Sequence, residues 1–428
     1  MTPPSSRDPE ITFDGTLREI HERISAHEGC PEFEEIERAS HILYAASLLK
    51  EEGRAVRARV VIAPPTAFNP TQGPPDGSHA IRFSTSHKLT PNEIKRLSPA
   101  ASFFHSVVAI WPDGARDKGF RIWGVVNTGP RWMNLVAGGR KPAGDDLPHP
   151  IIHVRDPGWL LFYHGYQLLA EWRGTDFHGP RMDVFQSSLL NERFADLRRK
   201  MVEELSDDCL PCSLNLETYA KLSHLISLQF VKRVINLVRT SGHGGSMVCL
   251  PEGEEGEDAA ARWIDCKYSA VPDDAGLRFR HILQSLIRRL GELCDQGCTL
   301  DDAWQVFRTS QDPELDELEE ALFELARFFS DLMQVDGTLV VDQRLCVLGF
   351  GGEIRVDRTV LQVKHAQDLH GTVTNPWNVQ SDGTRHRSVY RLCSVEPQVI
   401  GFVISQDSQV RMIANVDDSV VFWTHTVV

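Results

Sequence analysis

Val335-Asp336-Gly337-Thr338-Leu339-Val340-Val341-Asp342 and, further on, Asp382-Gly383-Thr384-Arg385-His386-Arg387-Ser388 decide how this chain is read. The first segment ends a helix, turns tightly at Asp-Gly and enters an apolar, β-branched run that reads as a buried strand. An Asp at such a strand mouth is placed to hold a divalent metal, beside its commoner role of capping a turn. The second segment sets a hydroxyl, two guanidiniums and an imidazole in four consecutive positions after a glycine. Arg forks match phosphate oxygens bidentately, and the backbone N–H groups after a glycine add neutral donors. A carboxylate and such a cradle are the groups that phosphoryl or nucleotidyl transfer from ATP requires.

Working outward, Glu314 to Met333 predicts a helix with a stripe of Leu315, Leu318, Leu322, Leu325, Phe329 and Leu332 and an acidic first turn. A helix from Leu216 to Arg239 leads through Gly244-Gly245 into a buried strand, Ser246 to Leu250. Glu252 to Asp258 reads as an acidic turn, Trp263 to Tyr268 as an edge strand, and Phe279 to Leu293 and Asp301 to Phe307 as helices. After the first motif come strands Thr338 to Val341 and Leu345 to Phe350, a Gly351-Gly352 turn and a loop from 358 to 382. Arg385 to Cys393 reads as a helix, with Val399 to Ser405 and Val410 to Ala414 as closing strands. Helices alternating with strands predict an α/β fold, a three-layer domain with a mixed β-sheet flanked by helices.

The N-terminal half predicts helices at Leu17 to His27 and Pro31 to Glu52, then a strand-rich region whose tryptophans and phenylalanines read as core. Asp183 to Leu205 reads as one long amphipathic helix, and Asp207 to Pro211 breaks the chain. The expected division is a helical or loose segment over 1–40, an α+β domain over 41–212 and the α/β domain over 213–428. Asp113-Gly114-Ala115 repeats the Asp-Gly signal without a cradle after it, so a turn is the better reading. His149, His153, His164 and His178 form a candidate metal or ligand cluster, with structural roles favoured. Arg131, Arg140 and Lys141 are candidate contacts for an anionic signal molecule.

At 428 residues the chain exceeds one ordinary core, so two domains are the default. A net charge of −14 argues against broad nucleic-acid binding while leaving room for a local basic pocket. No apolar run approaches the roughly 20 residues that span a bilayer. The expectation is a cytoplasmic protein without a membrane segment. Nine scattered cysteines, an odd number, do not read as a disulfide framework. Cys209, Cys212, Cys294 and Cys298 have spacings compatible with a structural zinc, with reduced thiols favoured.

The second half resembles the diadenylate cyclase family. Gly244 to Leu250 is similar to its glycine-led first strand, Asp336-Gly337-Thr338 to its Asp-Gly-Ala motif with Thr for Ala, and Gly383 to Arg387 to its Gly-Thr-Arg-His-Arg motif in full. Val403-Ile404-Ser405-Gln406 resembles its closing strand, with Gln where Glu is frequent. The likeness spans residues 216–428, and the N-terminal half looks like a sensor domain of the kind fused to such cyclases. It implies condensation of two ATP into cyclic di-AMP and two pyrophosphates. It also implies Mg²⁺ or Mn²⁺ held by Asp336 and catalysis by Asp336, Arg385 and Arg387. ATP contacts are implied at Gly337, Thr338, Gly383, Thr384, His386, Ser405, Gln406, Gly351 and Gly352. Because one domain presents one ATP, a homodimer or larger homo-oligomer with facing sites is implied, with a small-molecule signal at the N-terminal domain. Alternatives are a receptor of the same fold that binds ATP or a cyclic dinucleotide, and a nucleotidyltransferase with another product.

Overall fold

The computed structural model describes residues 12–25, 31–69, 73, 78–101, 105–112, 119–128, 140, 149–165, 167–178, 183–203, 214–271, 277–406 and 409–425. The chain divides into two compact units, Met1–Val136 with Gly144–Arg181, and Ala137–Ala143 with Met182–Val428. The division therefore falls between 181 and 182, ahead of the 212/213 boundary read from the sequence. Ser40, where that reading ends its N-terminal segment, lies inside a helix.

In the first unit, helices α1 (Phe13–Ile24) and α2 (Phe33–Ser47) lead to a short hairpin, β1 (Lys50–Glu51) and β2 (Arg54–Ala55). Among the described residues, an eight-stranded sheet follows. Its members are β3 (Ala58–Ile62), β4 (His79–Lys88), β5 (Ser106–Pro112), β6 (Phe120–Asn127), β7 (Pro150–Asp156), β8 (Trp159–His164), β9 (Gln167–Arg173) and β10 (Asp176–His178). The order is β10-β9-β8-β7-β3-β5-β6-β4, antiparallel except where β3 meets β5. The expected short helix is α3 (Pro91–Leu97), capped by the Thr90 hydroxyl, which accepts from the Glu93 N–H at 3.2 Å. Trp111, Trp123, Trp159 and Phe162 are core, as expected, whereas Trp172 is half-buried and Trp132 lies outside the described residues. Phe13 of α1 lies 4.9 Å from Trp172 and 5.5 Å from Phe177, and Tyr44 of α2 stacks on Trp172 at 4.4 Å.

The second unit opens with α4 (Ser188–Arg193), α5 (Ala195–Glu203) and the long α6 (Leu216–Ser241), which feeds β11 (Gly245–Leu250). Then follow α7 (Glu254–Trp263), β12 (Ile264–Ser269), α8 (Leu277–Leu293), α9 (Leu300–Thr309) and α10 (Pro313–Gln334). The chain continues through β13 (Thr338–Asp342), β14 (Val347–Ile354), β15 (Gln362–Ala366) and β16 (Thr374–Asn378). It ends with α11 (Thr384–Val395), β17 (Ile400–Ile404), β18 (Val410–Val416) and β19 (Ser419–His425). The strand order is β12-β14-β13-β11-β17-β18-β19-β15-β16. β11 runs parallel to β13 and β15 to β19; the other pairs are antiparallel, so the sheet is mixed.

Side-chain alternation along the strands sorts two cores. Met247, Cys249, Leu339, Val341, Phe402 and Met412 pack on one face against α6, α8, α9 and α10. Val248, Leu250, Val340, Val403 and Ile413 pack on the other, against α11 and the end of α7. Three layers result, and central strands buried on both faces explain why β11 and β13 read as unbroken apolar runs.

The sequence reading departs from this in several places. The helix expected over Pro31 to Glu52 stops at Ser47, and Lys50–Glu51 is a strand. The helix expected over Asp183 to Leu205 is broken: Asp183 accepts from the Phe185 N–H at 3.2 Å and Ser187 from Leu190, so short polar side chains compete with helical bonding and restart it. The acidic turn at Glu252 to Asp258 is mostly the first half of α7. Gly351 and Gly352 lie inside β14, and the loop from 358 to 382 contains β15 and β16. No helix among the described residues is long and apolar enough to cross a membrane.

Candidate active site

Register brings the motif segments to one end of the second sheet. Thr338 of β13 pairs with Gly352 of β14, and Gly245 of β11 with Ile404 of β17. The entries to β11 and β13 therefore lie level with the exits of β14 and β17, and the N-terminus of α11 adds another wall. A cleft of about 980 Å³ opens there.

Asp336 and Gly337 form the link from α10 into β13. Gly337 has φ 125°, and a Cβ on it would meet the Gly351 carbonyl carbon at 2.4 Å. Only a glycine lets these two backbones touch. Gly337→Ala should lower the stability of the unit by about 2–3 kcal/mol, read by thermal unfolding. An unchanged melting temperature would mean that the contact is not needed.

Asp336 itself stands at the rim, its side chain 94% exposed, with Lys267 Nζ of β12 at 3.9 Å from Oδ2 and 3.2 Å from the backbone oxygen. Behind it, Thr338 is buried at 3% exposure, and its hydroxyl has no hydrogen-bond partner among the described residues. Ser246 is tied back to the Gly337 carbonyl at 3.4 Å. The wall thus offers an exposed carboxylate, an ammonium and a buried hydroxyl that wants an acceptor or donor.

The opposite wall is cationic. Gly383 is the N-cap of α11 without a side-chain cap bond, and the space its Cβ would take is open. First-turn N–H groups and the positive end of the helix dipole therefore face the cleft, as anion sites require. Arg385 lines the cleft with no ion-pair partner among the described residues. Beneath the turn lies a buried network. Asp382 takes Arg411 Nη1 on Oδ1 at 2.8 Å, and Trp377 Nε1 and the Tyr390 hydroxyl on Oδ2 at 2.9 and 3.0 Å. Arg411 also donates to the Tyr390 oxygen at 2.8 Å and lies over Phe422, 4.4 Å from the ring centre. Burial pushes the Tyr390 phenol above its ordinary value, with Arg411 pulling against it and Asp382 adding to it.

Asp336, Gly337, Thr338, Gly351, Gly352, Gly383, Thr384, Arg385 and His386 all line this cleft, with Ser405 and Gln406. His386 is buried, its ring 6.4 Å from Tyr390. The Ser405 hydroxyl is engaged in its own turn, accepting from the Gln409 N–H at 3.1 Å. Arg387 is the exception: it does not line the cleft, and its Nε is buried. Sequence reasoning missed Ser246, Lys267, Asp382, Arg391 and Arg411 as cleft residues. Arg391 was within reach, seven residues after Thr384 on a predicted helix face; Lys267 and Arg411 arrive only through strand pairing.

For a divalent ion the fit is narrow. Among the described residues no three His, Cys, Asp or Glu groups converge. Asp382 is committed to Arg411, which leaves Asp336 and the exposed Glu353, itself 3.5 Å from Arg355, as the lining carboxylates to share an ion with substrate oxygens, a mode that suits Mg²⁺. Zinc finds no such group either. Cys294 and Cys298 are free thiols, and burial, then a hydrogen bond with Cys298, pushes Cys294 up to about 12. Cys209, Cys212, Asp113-Gly114-Ala115, Arg131 and Lys141 lie outside the described residues. Of the N-terminal histidines, His149 and His153 are buried in the first unit, with His153 opposite Arg59, and they join no metal cluster among the described residues. Arg140, grouped with the second unit, is buried with Asp316 3.5 Å away.

Compared with known proteins, residues 25–127 match the family model described as "Probable sensor domain DACNV". The match runs from just before α2 to the end of β6. No curated protein matches the chain. No solved structure matches it either. The first unit is thus similar over these residues to a sensor domain of signalling proteins.

Proposed function

We propose that the second unit is a diadenylate cyclase, condensing two ATP into cyclic di-AMP and two pyrophosphates, and that the first unit senses a small molecule and adjusts the output. The observation that carries this is the convergence of Asp336, the α11 N-terminus with Arg385, and the Ser405-Gln406 turn on one cleft. The likeness of residues 25–127 to a sensor domain agrees with it.

In each half-reaction the 3′-oxygen of one ATP forms a bond to the α-phosphorus of the other. The α–β bridging P–O bond breaks, pyrophosphate leaves with that electron pair, and the hydroxyl proton goes to solvent. The same step in the opposite direction closes the ring. Asp336 orients the 3′-hydroxyl. Arg385 and the first-turn N–H groups of α11 hold the polyphosphate and offset the charge that builds on the departing pyrophosphate. The buried Thr338 hydroxyl bonds the nucleoside. Mg²⁺ or Mn²⁺ held by Asp336 and the phosphates would supply further charge neutralisation. Two clefts must face each other to make a two-fold product, so the working unit is a homodimer or an assembly of such dimers.

Incubation with ATP and either Mg²⁺ or Mn²⁺, followed by mass spectrometry, should reveal cyclic di-AMP and two equivalents of pyrophosphate. Folded protein that releases neither with both metals would end this reading.

A further inference from the structure

We infer that Arg391, two turns into α11, is the second polyphosphate-binding arginine of the cleft, the role that the motif gives to Arg387. The inference rests on the nucleotide reading above and deepens it.

Thr384, Ser388 and Arg391 recur at i, i+4 and i+7, so they form one stripe along α11, and all three line the cleft. Arg391 starts about 10 Å along the axis from Thr384, at 1.5 Å per residue. Helical side chains lean toward the N-terminus of their helix, a direction that carries a long chain at this position toward the helix mouth. The Ser388 hydroxyl does not compete for a ligand, since it donates to the Thr384 carbonyl at 3.0 Å. Of the other cations of the cleft, Arg385 is already assigned to the polyphosphate at the helix mouth, Arg411 holds Asp382 and Tyr390, and Lys267 sits beside Asp336. Among the described residues the Arg391 guanidinium has no hydrogen-bond or ion-pair partner, so its five donors are available.

Arg387 differs in its placement: it is not in the cleft lining, and its Nε, likewise without a partner among the described residues, is buried. The anion-binding groups therefore run from the α11 N-terminus and Arg385 to Arg391. That row fits an extended polyphosphate better than a single phosphate.

Calorimetric titration of the full chain with inorganic tripolyphosphate and with ATP tests this, alongside product formation in the same samples. Arg391→Gln should weaken both ligands about tenfold and Arg391→Lys less, because the ammonium keeps the charge and loses the fork. Arg387→Gln should bind both within about twofold of the parent protein and show its effect in the melting temperature. Arg391→Gln binding as tightly as the parent, or Arg387→Gln losing as much as Arg391→Gln, would overturn the assignment. If the parent binds tripolyphosphate through Arg391 yet makes no cyclic di-AMP, the assignment stands and the cyclase reading falls. If it makes cyclic di-AMP and Arg391→Gln leaves KM and binding unchanged, the reverse holds.

Discussion

Asp336→Asn protein should form product at no more than about one hundredth of the parent rate, the scale of loss when a reacting group is misplaced. Its melting temperature should stay within about 2 °C, the range for a surface substitution away from packed features. The two halves of this expectation have separate causes. The Asp336 side chain is 94% exposed, and Lys267, 3.9 Å away, is itself more than half exposed, so the fold has little to lose. The chemistry has much to lose, since Asp382 is spent on Arg411, and Glu353 lies 3.5 Å from Arg355. Asn keeps the shape and removes the charge, which isolates the carboxylate. Rate is read by pyrophosphate release and cyclic di-AMP, fold by thermal unfolding. Full turnover by this variant would remove Asp336 from the reaction even if the parent protein is a cyclase.

Asp382→Ala should have the largest effect on the fold. The Asp382 and Arg411 side chains are 5% and 9% exposed, so removing the carboxylate leaves a buried guanidinium uncompensated, at a cost of about 3–5 kcal/mol. For a unit of this size that corresponds to roughly 10 °C in melting temperature. Trp377 and Tyr390 lose their acceptor at the same time. Because Asp382 directly precedes Gly383, the start of α11 should loosen and nucleotide binding weaken with it. Tyr390→Phe is the graded control: it removes the two hydrogen bonds of the hydroxyl, to Asp382 and from Arg411, and keeps the ion pair, so a loss of about 2 kcal/mol is expected. Equal melting temperatures for Asp382→Ala and the parent protein would show that the network anchors nothing.

Much of this architecture is legible in the sequence where local signals agree. Thr90-Pro91 announces α3, the leucine stripe announces α10, and buried apolar runs announce β11 and β13. The same holds for the cleft residues at element ends, where a glycine marks both the turn and the backbone approach: Asp336-Gly337 and Gly383-Thr384. What is lost is information carried by pairing between distant segments. β15 and β16 contain Lys364, His365, Asn375 and Pro376 and look like loop until β19 supplies a parallel partner. Arg411 and Lys267 are ordinary strand residues until register places them across from α11 and Asp336. Asp382 reads as a polar flank of a motif, and nothing nearby predicts that a β18 arginine will bury it. Arg387 shows the converse, since a motif names a residue type, while the helix it starts sets which arginines line the cleft, here Arg385 and Arg391.

The outer strands of the second sheet carry a consequence for solution behaviour. β16 forms one margin and contains Pro376, which has no N–H to donate; β12 forms the other and carries Asp265 and Lys267, with Asp265 held by Arg355. Proline and charge on marginal strands oppose extension of a sheet by a neighbouring molecule. This unit should therefore stay free of strand-to-strand polymerisation at high concentration. Any second copy that the proposed reaction needs must dock through side chains, which leaves the pairing reversible.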